Sequence, residues 1–401
     1  MRADEVTAPV VLPTARSCPF DPPPELAALR AERPIRPLAY PDGAVGWLVT
    51  GYRLVRTILA DPRFSTRADL KRMPVRRPGV DPFYGRQTLP GWFVDMDPPQ
   101  HTRFRRLLSG KFSERRVEVL RPRVERIVAD RLDVLAAEDR PADLVETFAL
   151  PVPSLVISEL LGVPYAERAS FQRNSVTLFS LTVSADEAER ALRALNTQLG
   201  DLVRRRRAEP AGDLISDLVD GTDLTDEEAV GAGVLLLTAG HETVASMIGL
   251  GTFALLRHPE QWRTLSADDS LVDPAVEELL RYLTIFQFGV PRTALVDVEV
   301  DGVRIRAGEC VTLSLPAANR DPERFTDPDR LDPARGATGH LAFGYGTHKC
   351  IGQHLARLQL RIAYRALIGR FPGLRLAVPA DEVPMCDDMG FYGVHRLPVN
   401  W

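Results

Sequence analysis

The stretch FGYGTHKCIG, residues 343–352, runs directly into a segment that predicts a helix beginning at Gln353. Its three glycines allow backbone conformations that other residues avoid, and they let the backbone approach a flat ligand closely. Its one cysteine, Cys350, lies just before the helix, where free N–H groups and the positive end of the helix dipole stabilise a thiolate. The pattern therefore predicts a loop that presents a sulfur ligand to a metal ion.

The spacing Phe-Gly-x-Gly-x-His-x-Cys-x-Gly resembles the haem-binding signature of the cytochrome P450 family, the haem-thiolate monooxygenases. The resemblance implies haem b (iron protoporphyrin IX) as cofactor, Cys350 as the iron ligand, and Phe343, Gly344, His348 and Gly352 as its surroundings. Two alternatives carry less weight. A lone cysteine is often a buried structural residue, and a zinc site would need further ligands at zinc spacing.

The composition is that of a soluble globular protein, with 401 residues, 45% apolar and 26% charged. A formal net charge of −4 argues against nucleic acid or an anionic membrane as the main partner. The four cysteines are widely separated, which suits a reducing compartment. The first residues contain no apolar run typical of a signal peptide or membrane anchor. We therefore expect a cytoplasmic protein, with a monomer as the default.

Helical periodicity dominates the chain, so the expected fold class is mainly α with a small β component. Residues 1–24 predict an extended, proline-rich lead-in, and residues 25–401 predict one domain; the resemblance implies the cytochrome P450 fold for it. Hairpins are expected over 37–50 and 296–311, and a long irregular loop over 63–92. Helices are predicted over 25–31, 51–59, 101–112, 113–136, 143–161, 166–183, 186–207, 212–219, 226–257 and 271–282.

The longest predicted helix is apolar on nearly all sides and begins with a capping box at Thr225, which predicts a buried core helix. Midway it carries Ala239-Gly240-His241-Glu242-Thr243. Glycine costs about 1 kcal/mol in a helix interior, so Gly240 indicates either close packing or a widened turn. An acid beside an alcohol can relay protons. The resemblance implies that Glu242 and Thr243 are the catalytic proton-delivery pair.

Two carboxylates on a haem need cations around them. His101 and Arg105 lie four residues apart on one helix, Arg292 follows an apolar segment, and His348 precedes the cysteine by two. The resemblance implies that all four bind the haem propionates. A surface charge is the alternative for each of them.

Three further charged residues are expected to be structural. Glu278 and Arg281 lie three residues apart on one predicted helix and can pair. Arg324 follows in Pro322-Glu323-Arg324-Phe325. The resemblance implies that Glu278, Arg281 and Arg324 form a buried network that supports the cysteine loop.

A basic surface is expected around the cysteine loop, formed by Arg103, Arg106, Lys349, Arg357 and Arg361. On an acidic protein such a surface suits a small acidic electron carrier. The short tail after the loop leaves no room for a fused reductase domain, so electrons must come from separate proteins. Ferredoxin and a ferredoxin reductase are the partners that the resemblance implies.

The predicted substrate walls are apolar and aromatic, which favours a bulky lipophilic molecule. Several of these residues are equally compatible with plain core packing. The predicted wall residues are Trp92, Phe93, Leu235, Ala239, Phe288, Val290 and Phe391.

The function implied by the resemblance is that of a monooxygenase which takes dioxygen and two electrons and inserts one oxygen atom into a C–H or C=C bond. The sequence is most similar to soluble bacterial members that modify secondary metabolites such as polyketides and macrolides. The alternatives are a peroxygenase on the same fold and a catalytically silent protein that recruits others. The intact Glu242-Thr243 pair argues against the first, and that pair together with Cys350 argues against the second.

Overall fold

The computed structural model describes residues 8–77 and 84–401, and helices predominate in them. The helices are α1 Glu25–Glu32, α2 Tyr52–Ala60, α3 Gln100–Ser109, α4 Glu114–Glu118, α5 Arg121–Ala137, α6 Pro151–Leu161, α7 Arg168–Phe179, α8 Ala185–Ala208, α9 Leu214–Val219, α10 Asp226–Leu256, α11 Pro259–Ala267, α12 Val272–Leu283, α13 Leu315–Asn319 and α14 Gln353–Arg370. The predicted fold class, mainly α with a minor β component, is confirmed.

The strands are short and peripheral. They are β1 Ile35–Ala39, β2 Val45–Val49, β3 Phe64–Ser65, β4 Ala142–Asp143, β5 Val290–Ala294, β6 Val298–Val300, β7 Val303–Ile305, β8 Cys310–Leu313, β9 Arg375–Leu376 and β10 Pro398–Asn400. The largest sheet has the order β1-β2-β8-β5-β3. Within it Arg292 on β5 is paired with Val311 on β8, so a sheet fixes the position of this cation.

Helix α10 runs through the core. Thr225 and Glu228 form the predicted capping box at its start. Most of its residues are buried, and it packs against α6, α8 and α14. In the described residues it is the one helix long and apolar enough to cross a membrane, but 78% of the qualifying window is buried inside the protein. The helix is therefore the centre of the fold around which the others are arranged.

The described part of the lead-in, residues 8–24, is packed onto the helices. The ring of Phe20 is buried and its centroid lies 4.8 Å from that of Phe253 on α10. The buried Arg320 donates hydrogen bonds to the carbonyl of Phe20, at 3.0 Å, and to the carboxylate of Asp21, at 3.1 Å. An extended path and firm packing thus occur together in this segment.

Three helix predictions needed correction. The helix predicted over 113–136 is two helices, α4 and α5. The one predicted over 143–161 is interrupted by a π-helical turn, Val145–Ala149, just before the prolines that open α6. Helix α11 was not predicted, because its nine residues carry only a weak apolar pattern.

The two predicted hairpins are confirmed as β1–β2 and β6–β7, while β8 leaves the second hairpin and joins the main sheet. Part of the predicted 63–92 loop, residues 78–83, lies outside the described residues.

Candidate functional site

The cysteine loop folds back on itself through backbone contacts. The amide of Cys350 donates to the carbonyl of Phe343 over 2.9 Å. Gly344 and Gly346 have φ angles of +67° and +74°, which favour glycine. A Cβ on Gly346 would lie 2.5 Å from the carbonyl oxygen of Leu59, so only glycine lets the loop approach α2 this closely. Gly344 and Gly346 are therefore required by backbone geometry, whereas Gly352 has an ordinary φ angle of −80°.

The environment of Cys350 only partly favours a thiolate. Burial raises the pKa of the thiol; the amide of Gly352 and the charges of Arg105, Arg357 and Lys349 act in the opposite direction but do not outweigh it. The stabilising backbone amide was expected from the sequence, but it was not expected that burial would have the larger effect on the thiol pKa. Because coordination deprotonates a thiol outright, a bound metal ion would convert Cys350 to the thiolate that the protein alone does not fully favour.

Two arginines and two histidines converge beside this loop. The rings of His101 and His348 have centroids 4.0 Å apart. Burial, together with the charges of His101 and Arg292, lowers the pKa of His348 to about 2. Burial also lowers the pKa of Arg292 to about 10, and that of Arg105. The sequence prediction of a cation cluster at these four positions agrees with this geometry.

Several polar atoms in the cluster are incompletely partnered. The Nδ1 atom of His101 is buried with no hydrogen-bond partner. The guanidinium of Arg292 donates to the carbonyl of its own neighbour, Pro291. Arg105 donates to the carbonyl of Lys349 at 2.6 Å. Two arginine cations and two histidines, with an unpartnered ring nitrogen among them, fit an anionic group, and the two carboxylates of a haem meet that need.

Sequence reasoning missed one member of the cluster. Lys71 is buried and pairs with the buried Asp95, and its charge contributes to the low pKa of His348. The carbonyl of the preceding Leu70 accepts a hydrogen bond from Thr293, next to Arg292. Nothing local marked Lys71, because it lies in the irregular loop and its partner is 24 residues away.

On α10, the alcohol Thr243 lies beside an accessible position of the helix, whereas the acid Glu242 is buried. Ala239 is exposed although its helix is mostly buried, so this face borders an internal cleft. The hydroxyl of Thr243 donates to the carbonyl of Ala239 at 2.8 Å. This is the bond to the preceding turn that the sequence suggested. Gly240 is a close packing contact, since a Cβ there would lie 3.0 Å from Ile157 of α6.

Glu242 is buried and turned away from Thr243. Its Oε1 atom lies 3.2 Å from Nδ1 of His241, and the two side chains are 8% and 2% exposed. One and two turns later on the same face, Ser246 and Gly249 contact residues 393 and 394 of the C-terminal segment. The carboxylate therefore points toward that segment.

The comparisons with known proteins agree with this geometry. The family model "Cytochrome P450" matches residues 183–398, just over half of the chain. The chain is 47% identical to cytochrome P450 105C1 of a Streptomyces species over 98% of this chain and 99% of that protein. The chain belongs to the cytochrome P450 family. Members of this family bind haem b through a cysteine thiolate, for which Cys350 remains the predicted residue, and this protein is a monooxygenase.

Solved structures share the fold over nearly the whole chain. The structure of CYP105P1 in complex with filipin I has a TM-score of 0.91 and 46% identity, covering 98% of this chain and 99% of that one. The mycinamicin VIII C21 methyl hydroxylase MycCI of Micromonospora griseorubida, bound to mycinamicin VIII, also has a TM-score of 0.91, with 37% identity and coverage of 98% and 100%. The P450 fold predicted from the motifs is therefore confirmed.

The structure distributes the predicted wall residues of this P450 unevenly. Phe391 is half-buried and meets two other rings, Phe179 at 4.8 Å and Phe286 at 5.1 Å between centroids. Val290 is also half-buried. The remaining aromatic and leucine positions are buried: Trp92 and Phe93 at 4–5% and Leu235 at 8% in the main core, and Phe288 at 9% in a cluster beside the sheet.

The buried ion-pair network differs from the prediction in one residue. Glu278 and Arg281 are both 0% exposed and form two hydrogen bonds of 2.8 Å, as expected. The third arginine is Arg335, whose Nε lies 3.1 Å from Glu278. Arg324 is exposed and donates instead to the carbonyl of Thr338, so its assignment to this network was wrong.

The basic surface is also smaller than predicted. Arg103 pairs with Asp223 and Glu228, while Arg357 and Arg361 pair with Glu277. These three charges are compensated by acids from distant segments. Among the described residues, no ion pair involves Arg106 or Lys349, and these two remain as the uncompensated cations of the predicted set.

Glu277 was not among the residues singled out from the sequence. Burial alone would raise the pKa of its carboxyl, but hydrogen bonds from His340 and Arg357 outweigh burial and bring it to about 2. Because a depressed acid stabilises the fold above its unfolded pKa, this contribution is complete above pH 4.5 and is lost as the pH falls toward 2.

We therefore expect Glu277→Gln to lower the free energy of unfolding by up to about 3 kcal/mol at pH 6. The difference from the parent protein should shrink steadily between pH 4.5 and 2. Urea titrations followed by circular dichroism at several pH values measure it. Glu260→Gln, at an exposed helix position, is the control. A difference that does not change with pH would contradict the assignment.

Proposed function

We propose that this P450 activates dioxygen with electrons from a ferredoxin and oxidises a bulky, lipophilic small molecule by hydroxylation or epoxidation. The carrying observation is the acid–alcohol pair on the core helix: Glu242 is buried and Thr243 borders the cleft beside the accessible Ala239. A peroxygenase, which takes its oxygen from peroxide, has no need of such a pair. The proposal also places the protein in the cytoplasm as a monomer, without nucleic acid or membrane as partner.

The haem, when bound, supplies the oxygen-activating chemistry. Cys350 would bind its iron from the loop side. Its carboxylates would be bound by His101, Arg105, Arg292 and His348. The hydroxyl of Thr243, now bonded to the carbonyl of Ala239, needs only a side-chain rotation to donate into the cleft. Glu242 is the proton source behind it, replenished from the side of the C-terminal segment.

The substrate class rests on the aromatic cluster formed by Phe179, Phe286 and Phe391. The three rings come from three separate segments and are each half-buried, and Phe391 contacts both of the others. Such a surface recognises area and shape with few polar demands. The similar proteins named above bind or act on filipin I and mycinamicin VIII, which supports a secondary metabolite, such as a polyketide or macrolide, as substrate.

The electron donor is proposed to approach the cysteine loop near Arg106 and Lys349. Lys349 directly precedes Cys350, and Arg106 lies on α3 next to Arg105, which donates a hydrogen bond to the carbonyl of Lys349. An acidic ferredoxin would be steered there by charge. A ferredoxin reductase completes the electron supply.

The proposal is tested by titrating the ferric protein with a panel of macrolides and following the low- to high-spin change, then supplying ferredoxin and its reductase. Saturable spin-state changes and an oxygenated product are expected. Turnover with peroxide alone, equal to that with ferredoxin, would support the peroxygenase instead. Bound haem with no turnover, either with ferredoxin or with peroxide, would support the catalytically silent recruitment protein.

We expect Thr243→Ala to uncouple electron consumption from product formation and to release more hydrogen peroxide. A positioned proton donor contributes roughly 10²–10⁴-fold, and water replaces part of that, so product per electron pair should fall at least about tenfold. Product and peroxide are quantified per reduced nicotinamide consumed.

Thr243→Ser retains the hydroxyl and is the matched control, so its coupling should stay near that of the parent protein. Tight coupling in Thr243→Ala would remove the hydroxyl from the proposed relay.

A further inference from the structure

Glu277, next to Glu278 on α12, binds one side chain on each side of the cysteine loop. Its carboxylate accepts hydrogen bonds from Arg357 at 2.8 and 3.0 Å and from Nε2 of His340 at 3.1 Å. Arg361 approaches at 3.4 Å. The carboxylate is only 16% exposed, so these bonds are shielded from water. One carboxylate thus compensates two arginines and fixes one histidine.

His340 transmits this contact to the loop backbone. Its side chain is 1% exposed, and Nδ1 accepts a hydrogen bond of 3.2 Å from the amide of Ala342. An accepting Nδ1 requires the proton to be on Nε2, which donates to Glu277. The imidazole is therefore a neutral bridge between helix α12 and the residue that precedes Phe343.

Arg357 transmits the contact to the cysteine by a second path. Its guanidinium lies over the ring of Phe343, 4.5 Å from the centroid. The carbonyl of Phe343 in turn accepts the amide of Cys350 at 2.9 Å. The guanidinium is also near enough for its charge to act on the Cys350 sulfur. Its position matters both for the shape of the loop and for the field at the ligand.

From these contacts we infer that Glu277 is a positioning residue for the haem ligand: it holds Arg357 against Phe343 and balances the arginine charge beside Cys350. Glu277 therefore adjusts how strongly the thiolate donates to the iron. This role is distinct from that of its neighbour Glu278, because adjacent residues on a helix point about 100° apart and Glu278 binds Arg281 and Arg335.

The sign of the effect follows from the charges. Without the Glu277 carboxylate, the arginine charges beside the sulfur are uncompensated. A more positive environment stabilises the reduced, more negative iron site, so the reduction potential should rise and electron donation by the sulfur should weaken. Removing the arginine instead should have the opposite sign.

The experiment measures the reduction potential of the haem-bound protein by spectroelectrochemistry and the iron–sulfur stretching frequency by resonance Raman. Glu277→Gln should raise the potential and lower the stretching frequency. Arg357→Gln should lower the potential. The double variant Glu277→Gln/Arg357→Gln should return toward the parent value, because both members of the compensated pair are gone. Glu260→Gln at an exposed site is the control for a carboxylate lost elsewhere.

Opposite shifts in the two single variants, with cancellation in the double variant, support the inference. Shifts of the same sign, or a Glu277→Gln potential equal to that of Glu260→Gln, overturn it. If Glu277→Gln fails to incorporate haem, the Arg357→Gln and double variants decide: a double variant with the same potential as Arg357→Gln alone would also overturn it.

Discussion

Replacing Cys350 with alanine is expected to abolish both monooxygenase activity and the strongly red-shifted Soret band of the reduced, carbon monoxide-bound protein. The thiolate is the iron ligand of the family, and the imidazole of the loop is that of His348. That imidazole lies against His101, near the arginines predicted to bind the propionates. Haem retained by Cys350→Ala should therefore show the unshifted band.

The matched control is Cys18→Ala, which removes a partly buried cysteine of the lead-in. Its spectrum and activity should equal those of the parent protein. Undiminished activity in Cys350→Ala would overturn the assignment of the ligand. Complete loss of haem would show that the sulfur–iron bond also retains the cofactor, and the spectrum would then be measured on protein reconstituted with haem.

Glu278→Gln is expected to destabilise the fold by about 3–5 kcal/mol, the usual result of removing one member of a buried ion pair. Both Glu278 and Arg281 are fully buried, and Arg281 also donates to the carbonyls of Asn319 and Pro328. The variant leaves a buried guanidinium without its counter-ion. Urea unfolding followed by circular dichroism measures the change.

Two arginine variants separate the observed network from the one predicted from the sequence. Arg335→Met removes the contact to Glu278 as well as donors to the carbonyls of Thr326 and Asp327, and should cost about 1.5–3 kcal/mol. Arg324→Met changes an exposed residue and should stay within about 1 kcal/mol of the parent protein. The reverse order would restore Arg324 to the network.

Features that depend on local sequence were predictable. The glycines of the cysteine loop, the Thr225 capping box and the Asp301-Gly302 turn each require a residue type at a fixed offset, and all three are found in the structure. The same is true of the bond from Thr243 to the preceding turn. Spacing within a single element carries this information without reference to the rest of the fold.

Features that join distant segments were not predictable from spacing. Arg324 and Arg335 both follow α12 at comparable distances, and only folding decides which of them reaches Glu278. The predicted basic surface lost Arg103 in the same way, since its acidic partners are more than 100 residues away. Motif order located the site, but counter-ions and ring contacts depended on tertiary structure.

The sequence also did not predict which aromatic residues line the cleft and which pack in the core. Trp92 and Phe93 read as wall residues because they are large and lie in a long loop, yet Phe93 stacks on Phe104 in the core, 6.0 Å between centroids. Phe179, at the end of α7, contacts Phe391 instead. Hydrophobicity alone does not separate a wall from a core.

The cluster of like charges beside His348 has a consequence for the way the holoprotein is assembled. A concentration of positive potential in a partly closed cleft attracts a dianion from solution and accelerates its capture, an effect that salt weakens. A porphyrin whose carboxylates are esterified has the same size and iron but no charge to offer Arg105 and Arg292. We therefore expect the predicted propionate site to distinguish tetrapyrroles by their side chains, before the sulfur of Cys350 binds the iron.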